Sequence, residues 1–142
     1  MIKICFVCTG DTCRSVMAER IMKKMLKEQN IKDIKVTSKG LYANGENITQ
    51  NAKNVLKKMK YLAVDRKSVK LKKIDSQTLY ITMTENQKQK LNCENSISFK
   101  SLLGYEISDP YGQSEEVYLS TLKQLEEGVR LLIKKIKEWR KL

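Results

Sequence analysis

The sequence predicts an α/β fold: one domain spanning residues 1–142, with a four-stranded parallel sheet flanked by helices. Three observations predict it. Short apolar runs of strand length alternate with longer segments of helical period; no repeat or Pro/Gly-rich linker divides them; and 142 residues are enough for one hydrophobic core. Strands alternating with helices imply parallel pairing through right-handed crossovers, and ligands in such sheets sit at the carboxyl ends of strands.

The elements follow in order. Ile2 to Val7 is an apolar run that reads as a buried strand. From Arg14 to about Gln29, Met17, Ile21 and Met25, with Met22 and Leu26, mark one face of a helix. Ile34 to Ser38 is a second β-like run, ended by Lys39-Gly40. After a loop through Asn44-Gly45, Thr49 is placed to cap a helix whose Ala52, Val55, Leu56 and Met59 face inward. A lysine-rich connector follows, with a short helical piece expected near Leu71 to Ile74. Leu79 to Thr82 reads as the third strand. Thr84 and Gln87 then form a capping box for a helix reaching Leu91. Ser96 to Leu102 holds a short fourth strand around Ile97 and Phe99. From Ser114, Tyr118, Leu122, Leu125, Val129, Leu132 and Ile136 keep spacings of four and three, and Glu115 and Glu116 suit the start of that last helix.

Composition narrows the chemistry. No apolar stretch is long enough to cross a membrane, and no leader with a charged start, apolar middle and small-residue end is evident. With four cysteines and no secretory pattern, the expectation is a cytoplasmic protein with free thiols. The chain has no histidine, so Cys-His and Ser-His nucleophilic sites are excluded. The net charge of +12 suggests nucleic acid, yet the lysines are scattered along helices with no aromatic-interleaved motif. They are read as solvated faces, with neither nucleic acid nor membrane as a partner.

The chemistry concentrates in Cys8-Thr9-Gly10-Asp11-Thr12-Cys13-Arg14-Ser15. A strand delivers a cysteine into a loop closed by Arg-Ser, and a helix starts at once. Loop N–H groups and the helix N-terminus can surround a phosphoryl group while Arg14 supplies a guanidinium fork. That positive field favours a Cys8 thiolate, and Ser15 can donate a hydrogen bond to it. Gly10 lets the backbone approach the phosphoryl oxygens.

These residues, followed by Met17-Ala18-Glu19, resemble the low-molecular-weight protein phosphatase family. The resemblance runs the whole length and includes an Asp-Pro-aromatic element, here Asp109-Pro110-Tyr111, around the chain's only proline. It implies the family's fold and a metal-independent, cofactor-free, cysteine-dependent phosphatase acting on phosphorylated proteins as a monomer and releasing inorganic phosphate. Cys8, Arg14 and Asp109 would then be catalytic, with Asp109 as general acid. Thr9, Gly10, Asp11, Thr12, Cys13, Ser15 and Tyr111 would bind substrate.

Two positions depart from the family pattern. Asp11 replaces the loop asparagine; both residue types tolerate left-handed backbone, but a carboxylate beside a dianion opposes binding and disfavours the thiolate unless neutralised. Val16 replaces the proline after Arg-Ser, losing some preorganisation of the helix start. Thr12 separates the branches. Tyrosine-directed members carry a bulky aliphatic there, whereas the protein-arginine phosphatases read Cys-Thr-Gly-Asn-Thr-Cys-Arg-Ser. Phosphoarginine is therefore the expected substrate and phosphotyrosine the alternative. Two readings stand further off: a thioredoxin-coupled arsenate reductase, disfavoured because only Cys93 occupies the later region, and a phosphopeptide-binding module. Cys13 is read either as a disulfide partner for Cys8 or as a small residue packed under the loop, and Cys5 as core.

Overall fold

The computed structural model describes residues 1–141. Its elements are β1 (Ile2–Cys8), α1 (Arg14–Glu28), β2 (Ile34–Gly40), α2 (Gln50–Lys58), β3 (Thr78–Thr82), α3 (Glu85–Leu91), β4 (Ser96–Ser98), α4 (Phe99–Leu103) and α5 (Glu115–Arg140). The strands form one parallel sheet in the order β2-β1-β3-β4, which puts β1 inside the sheet with neighbours on both sides. Burial on both faces explains why β1 is apolar from Ile4 to Cys8 with no alternation.

Alternation reappears in what each side chain touches. Ile4, Phe6 and Cys8 join the main core with the buried faces of α1, α2 and α5, whereas Cys5 and Val7 face a smaller cluster with Tyr80 and Leu91. In α5, Tyr118, Leu122, Leu125, Val129, Leu132 and Ile136 are all buried, as their spacing requires. Gly128, in the middle of that helix, is a packing device. A Cβ there would lie 2.6 Å from the Phe99 ring, which itself stacks on Phe6 with centroids 5.9 Å apart.

The alternating elements and the Thr84–Gln87 capping box match expectation. Four details correct it. Strand β2 continues past Ser38 to Gly40. Leu71 to Ile74 is not helical: the Leu71 N–H donates to the Gly40 carbonyl, next to a bridge between Gly40 and Lys70, so this stretch is held extended against the sheet edge. Phe99 opens α4 instead of belonging to β4, and Ser101 Oγ donates to the Ser98 carbonyl at that start. Thr49 occupies the cap position of α2 in an extended conformation, but its hydroxyl turns to the Thr12 carbonyl instead of the helix.

Candidate active site

Cys8 is the last residue of β1 and pairs in register with Gly40, the last residue of β2. The loop that follows is shaped by hydrogen bonds made from outside. The carbonyls of Cys8, Thr9 and Thr12 accept from the N–H groups of Leu41, Tyr42 and Thr49 at 3.0, 2.9 and 3.0 Å. With those carbonyls held outward, the N–H groups of Gly10, Thr12 and Cys13 make no backbone hydrogen bond among the described residues. The Asp11 N–H points at Cys8 Sγ, 3.2 Å away, and Ser15 Oγ lies 2.9 Å from the same sulfur. Cys8 is buried, and so are Arg14 and Ser15, the first residues of α1 beyond the loop.

Gly40 makes this approach possible. A Cβ there would come within 2.8 Å of Asp11 N and Gly10 C and 2.9 Å of the Thr9 carbonyl oxygen, all backbone atoms that cannot swing away. Gly40→Ala is expected to destabilise the protein by about 1–3 kcal/mol, as overpacking does, and to push the loop off Cys8. Thermal unfolding and phosphate-ester turnover would check it; a variant matching wild type in both would mean the loop is more compliant than this contact implies. By contrast, a Cβ on Gly10 would meet only the Thr12 side chain, at 3.6 Å or more.

Asp11 is the residue whose charge needed an answer, and the fold supplies it. The carboxylate is fully buried and its backbone is left-handed, with φ 53°. One oxygen accepts from Ser15 Oγ at 2.7 Å and Ser38 Oγ at 2.8 Å; the other accepts from Arg66 Nη1 at 3.0 Å and the Val69 N–H at 2.9 Å. Arg66 Nη2 also donates to Ser38 Oγ and lies 3.8 Å from Glu19 of α1. Arg66 is partly exposed, but removing it would leave the fully buried Asp11 carboxylate without its cationic partner.

Arg14 and Asp109 meet across the mouth. Arg14 Nη1 donates to the Ile107 carbonyl at 2.8 Å, and Nη2 lies 3.7 Å from Asp109 Oδ2. Arg14 Nε is buried with no partner among the described residues, a donor unused by the protein itself. The segment carrying Asp109 is fixed at several points. The Ile107 N–H donates to the Met83 carbonyl beyond β3, Asn51 of α2 donates to the Gln113 carbonyl, and the Tyr111 N–H caps Asp109 Oδ1 at 3.1 Å. Asp109 itself stays 54% exposed, so its second oxygen is open to solvent and ligand.

The cleft over the loop encloses about 360 Å³. Cys8, Thr9, Gly10, Thr12, Cys13 and Arg14 form its floor, and Asp109 and Tyr111 stand on one side. Of the residues expected to bind substrate, Asp11 and Ser15 do not line it; both work from beneath the loop. Sequence reasoning missed Tyr42, Glu46, Asn47 and Thr49, which line the cleft, and Ser38 and Arg66, which hold Asp11. The Asn44-Gly45 turn and the β-run ending in Gly40 were the available signals. Hydrogen bonds from the Asn44 N–H and Ser68 hydroxyl hold the Glu46 carboxyl below the usual carboxylate range.

The other thiols are quieter. Burial, then the charges of Cys8 and Asp109, push Cys13 up to about 12 against the opposing help of Arg14, and burial pushes Cys5 to about 11. Both stay protonated near neutrality. Cys93 packs against the smaller cluster on the opposite face, away from the cleft.

The first strand of a parallel sheet thus ends in a cysteine-bearing loop with an arginine and an aspartate at its mouth, in an α/β fold. The chain belongs to the low molecular weight phosphotyrosine protein phosphatase family, whose model matches residues 3–142. It is 32% identical to a protein-arginine-phosphatase of Bacillus subtilis over 97% of this chain and 99% of that one. It is 34% identical to the low molecular weight protein-tyrosine-phosphatase PtpB of Staphylococcus haemolyticus, over 87% and 91% of the two chains. Among solved structures it is similar to a cysteine-to-serine mutant of the YwlE arginine phosphatase with a phosphorylated active-site serine. The TM-score is 0.86 and the identity 29%, covering 99% of both chains.

Proposed function

We propose that this protein hydrolyses phosphoarginine in phosphorylated proteins, releasing inorganic phosphate without metal or cofactor. The observation that carries this is Thr12, a small hydroxyl residue in a cleft that is also lined by two acidic residues, Asp109 and Glu46. A guanidinium group needs polar and anionic neighbours; a phenyl ring needs apolar contact, which threonine scarcely offers. The full-length similarity to a protein-arginine-phosphatase supports the same choice.

The geometry supports a two-step chemistry. Cys8 Sγ attacks phosphorus in line; the S–P bond forms as the P–N bond breaks, and Asp109 delivers its proton to the departing nitrogen. Arg14 and the loop N–H groups of Gly10, Thr12 and Cys13 balance the charge on the equatorial oxygens. Arg14 Nε, unpaired among the described residues, is a donor that a phosphoryl oxygen can use. Water then attacks the cysteinyl phosphate, Asp109 takes its proton, and the sulfur leaves toward the Ser15 hydroxyl, 2.9 Å away. Thr9 and Cys13 contribute as loop backbone, and Tyr111 as a wall.

Phosphotyrosine is the second reading, favoured by the two exposed rings of Tyr42 and Tyr111 at the rim and by the tyrosine-phosphatase relative. Turnover of matched phosphoarginine and phosphotyrosine peptides by wild type and Thr12→Ile decides between them. Wild type is expected to prefer phosphoarginine, and Thr12→Ile to swing the ratio toward phosphotyrosine by about 10-fold or more, the worth of one side-chain contact. A wild-type preference for phosphotyrosine would overturn the assignment.

A further inference from the structure

We infer that Arg66 is a positioning residue for the reaction: by holding the Asp11 carboxylate, it weakens that group's grip on the Ser15 proton, which Asp11 takes at rest and the Cys8 sulfur needs when it is an anion. The inference rests on Cys8 being the nucleophile. It starts from a conflict over one proton. Ser15 Oγ lies 2.7 Å from Asp11 Oδ1 and 2.9 Å from Cys8 Sγ, and a hydroxyl has a single proton to give. When both neighbours are anions, only one can have it. A carboxylate with no other donors would win, and the attacking or departing sulfur would lose its hydrogen bond.

The donors on Asp11 decide the contest. Apart from Ser15, the carboxylate receives Arg66 Nη1, the Val69 N–H and Ser38 Oγ, and Ser38 is itself held by Arg66 Nη2. Arg66 thus acts on both oxygens, directly on one and through Ser38 on the other. It alone among these partners brings a full positive charge, and charge-assisted bonds are about twice as strong as neutral ones. With them in place Asp11 has least need of Ser15. Without them, Ser15 commits to Asp11 and an unbalanced carboxylate sits beneath a loop built to take a dianion.

The surrounding charges do not duplicate this role. Cys8 faces Cys13, Arg14 and Asp109 on its open side. Cys5 of β1 feels Lys39 of β2, Asp11 and Glu19 of α1, which are the other ionisable groups near the network. Glu19 is a second buried carboxylate, 3.8 Å from Arg66 and 3.7 Å from Lys23, so losing Arg66 adds a repulsion on that side as well. Asp11 and Arg66 are 55 positions apart and joined by one contact. An acidic residue in this loop is workable because that arginine is there.

The test is a double-substitution cycle on the full chain. Iodoacetamide alkylation of Cys8 is followed against pH by peptide mass spectrometry, with kcat and KM for p-nitrophenyl phosphate measured alongside. Arg66→Met is expected to move the alkylation midpoint up by about one pH unit, the scale on which a nearby charge acts, and to lower kcat about 10-fold with a smaller change in KM. In the Asp11→Asn background, where no charge needs holding, the same change is expected to move the midpoint by less than a third as much. Arg66→Lys should keep the wild-type midpoint. Arg66→Gln, which keeps an N–H donor but drops the charge, must show the same background dependence and decides the matter if Arg66→Met does not fold. Equal shifts in both backgrounds, or none in either, would overturn the proposal. No phosphoarginine enters this assay, so its failure leaves the substrate assignment standing. A wild type that neither alkylates at Cys8 nor turns over the ester would overturn the nucleophile and the proposal together.

Discussion

Replacing Cys8 with serine is expected to lower turnover of every phosphorylated substrate by about four orders of magnitude or more, as loss of a nucleophile does. An alcohol at neutral pH is far less ionised than a thiol, and the surroundings of Cys8 are arranged for an anion. The Asp11 N–H and the Ser15 hydroxyl both lie within hydrogen-bond reach of the sulfur, and Arg14 stands at the helix start. Phosphate binding should survive, because the loop N–H groups and Arg14 are untouched. A serine that does attack phosphorus should stall at the covalent stage, because an alkoxide leaves far less readily than a thiolate. Steady-state turnover, calorimetric titration with phosphate and the intact mass of the protein after substrate would report each part. Turnover within tenfold of wild type would remove Cys8 as nucleophile.

The second large effect is Asp109→Asn. The amide keeps the size of the side chain but carries no transferable proton, so proton delivery to the leaving group is lost while binding persists. General acid catalysis is worth about 10²–10⁴-fold, and the loss should depend on what is leaving. The guanidine nitrogen of phosphoarginine and the phenol of phosphotyrosine both need a proton, so their turnover should fall by that range. A good leaving group such as p-nitrophenolate departs largely unaided, and its turnover should fall far less. Kinetics across leaving groups would show this as a steeper dependence in the variant. A uniform loss would instead recast Asp109 as a partner that orients Arg14, since the two lie 3.7 Å apart.

Much of the site was legible because its chemistry is contiguous. Cys8, Arg14 and Ser15 fall within one strand–loop–helix junction, whose meaning depends only on spacing. Asp109 was legible only through the family resemblance, because an Asp-Pro pair by itself reads as an ordinary turn. Arg66 was not, because a single arginine in a lysine-rich connector looks like another solvated cation until the chain folds it against Asp11. Ser38 and Gly40 were hidden in a different way. Each reads as ordinary punctuation at a strand end, and only the pairing of Gly40 with Cys8 shows why backbone must approach backbone there. The errors in the fold have the same origin. Phe99 has strand propensity, yet its ring is wanted between Phe6 and Gly128, and Leu71 has helical company, yet its N–H is taken by Gly40.

The three N–H groups that turn the loop carbonyls outward all come from one stretch, residues 41 to 49. That arrangement makes the loop and this stretch a single cooperative unit. Any opening that peels residues 41–49 from the protein also releases the carbonyls of Cys8, Thr9 and Thr12, which can then rotate inward and take the place meant for phosphate. Under the proposed mechanism such a local opening would by itself cost catalytic competence, without requiring the core of α1 and α5 to come apart. Heat or denaturant that opened only this stretch would silence the molecule while most of it was still folded.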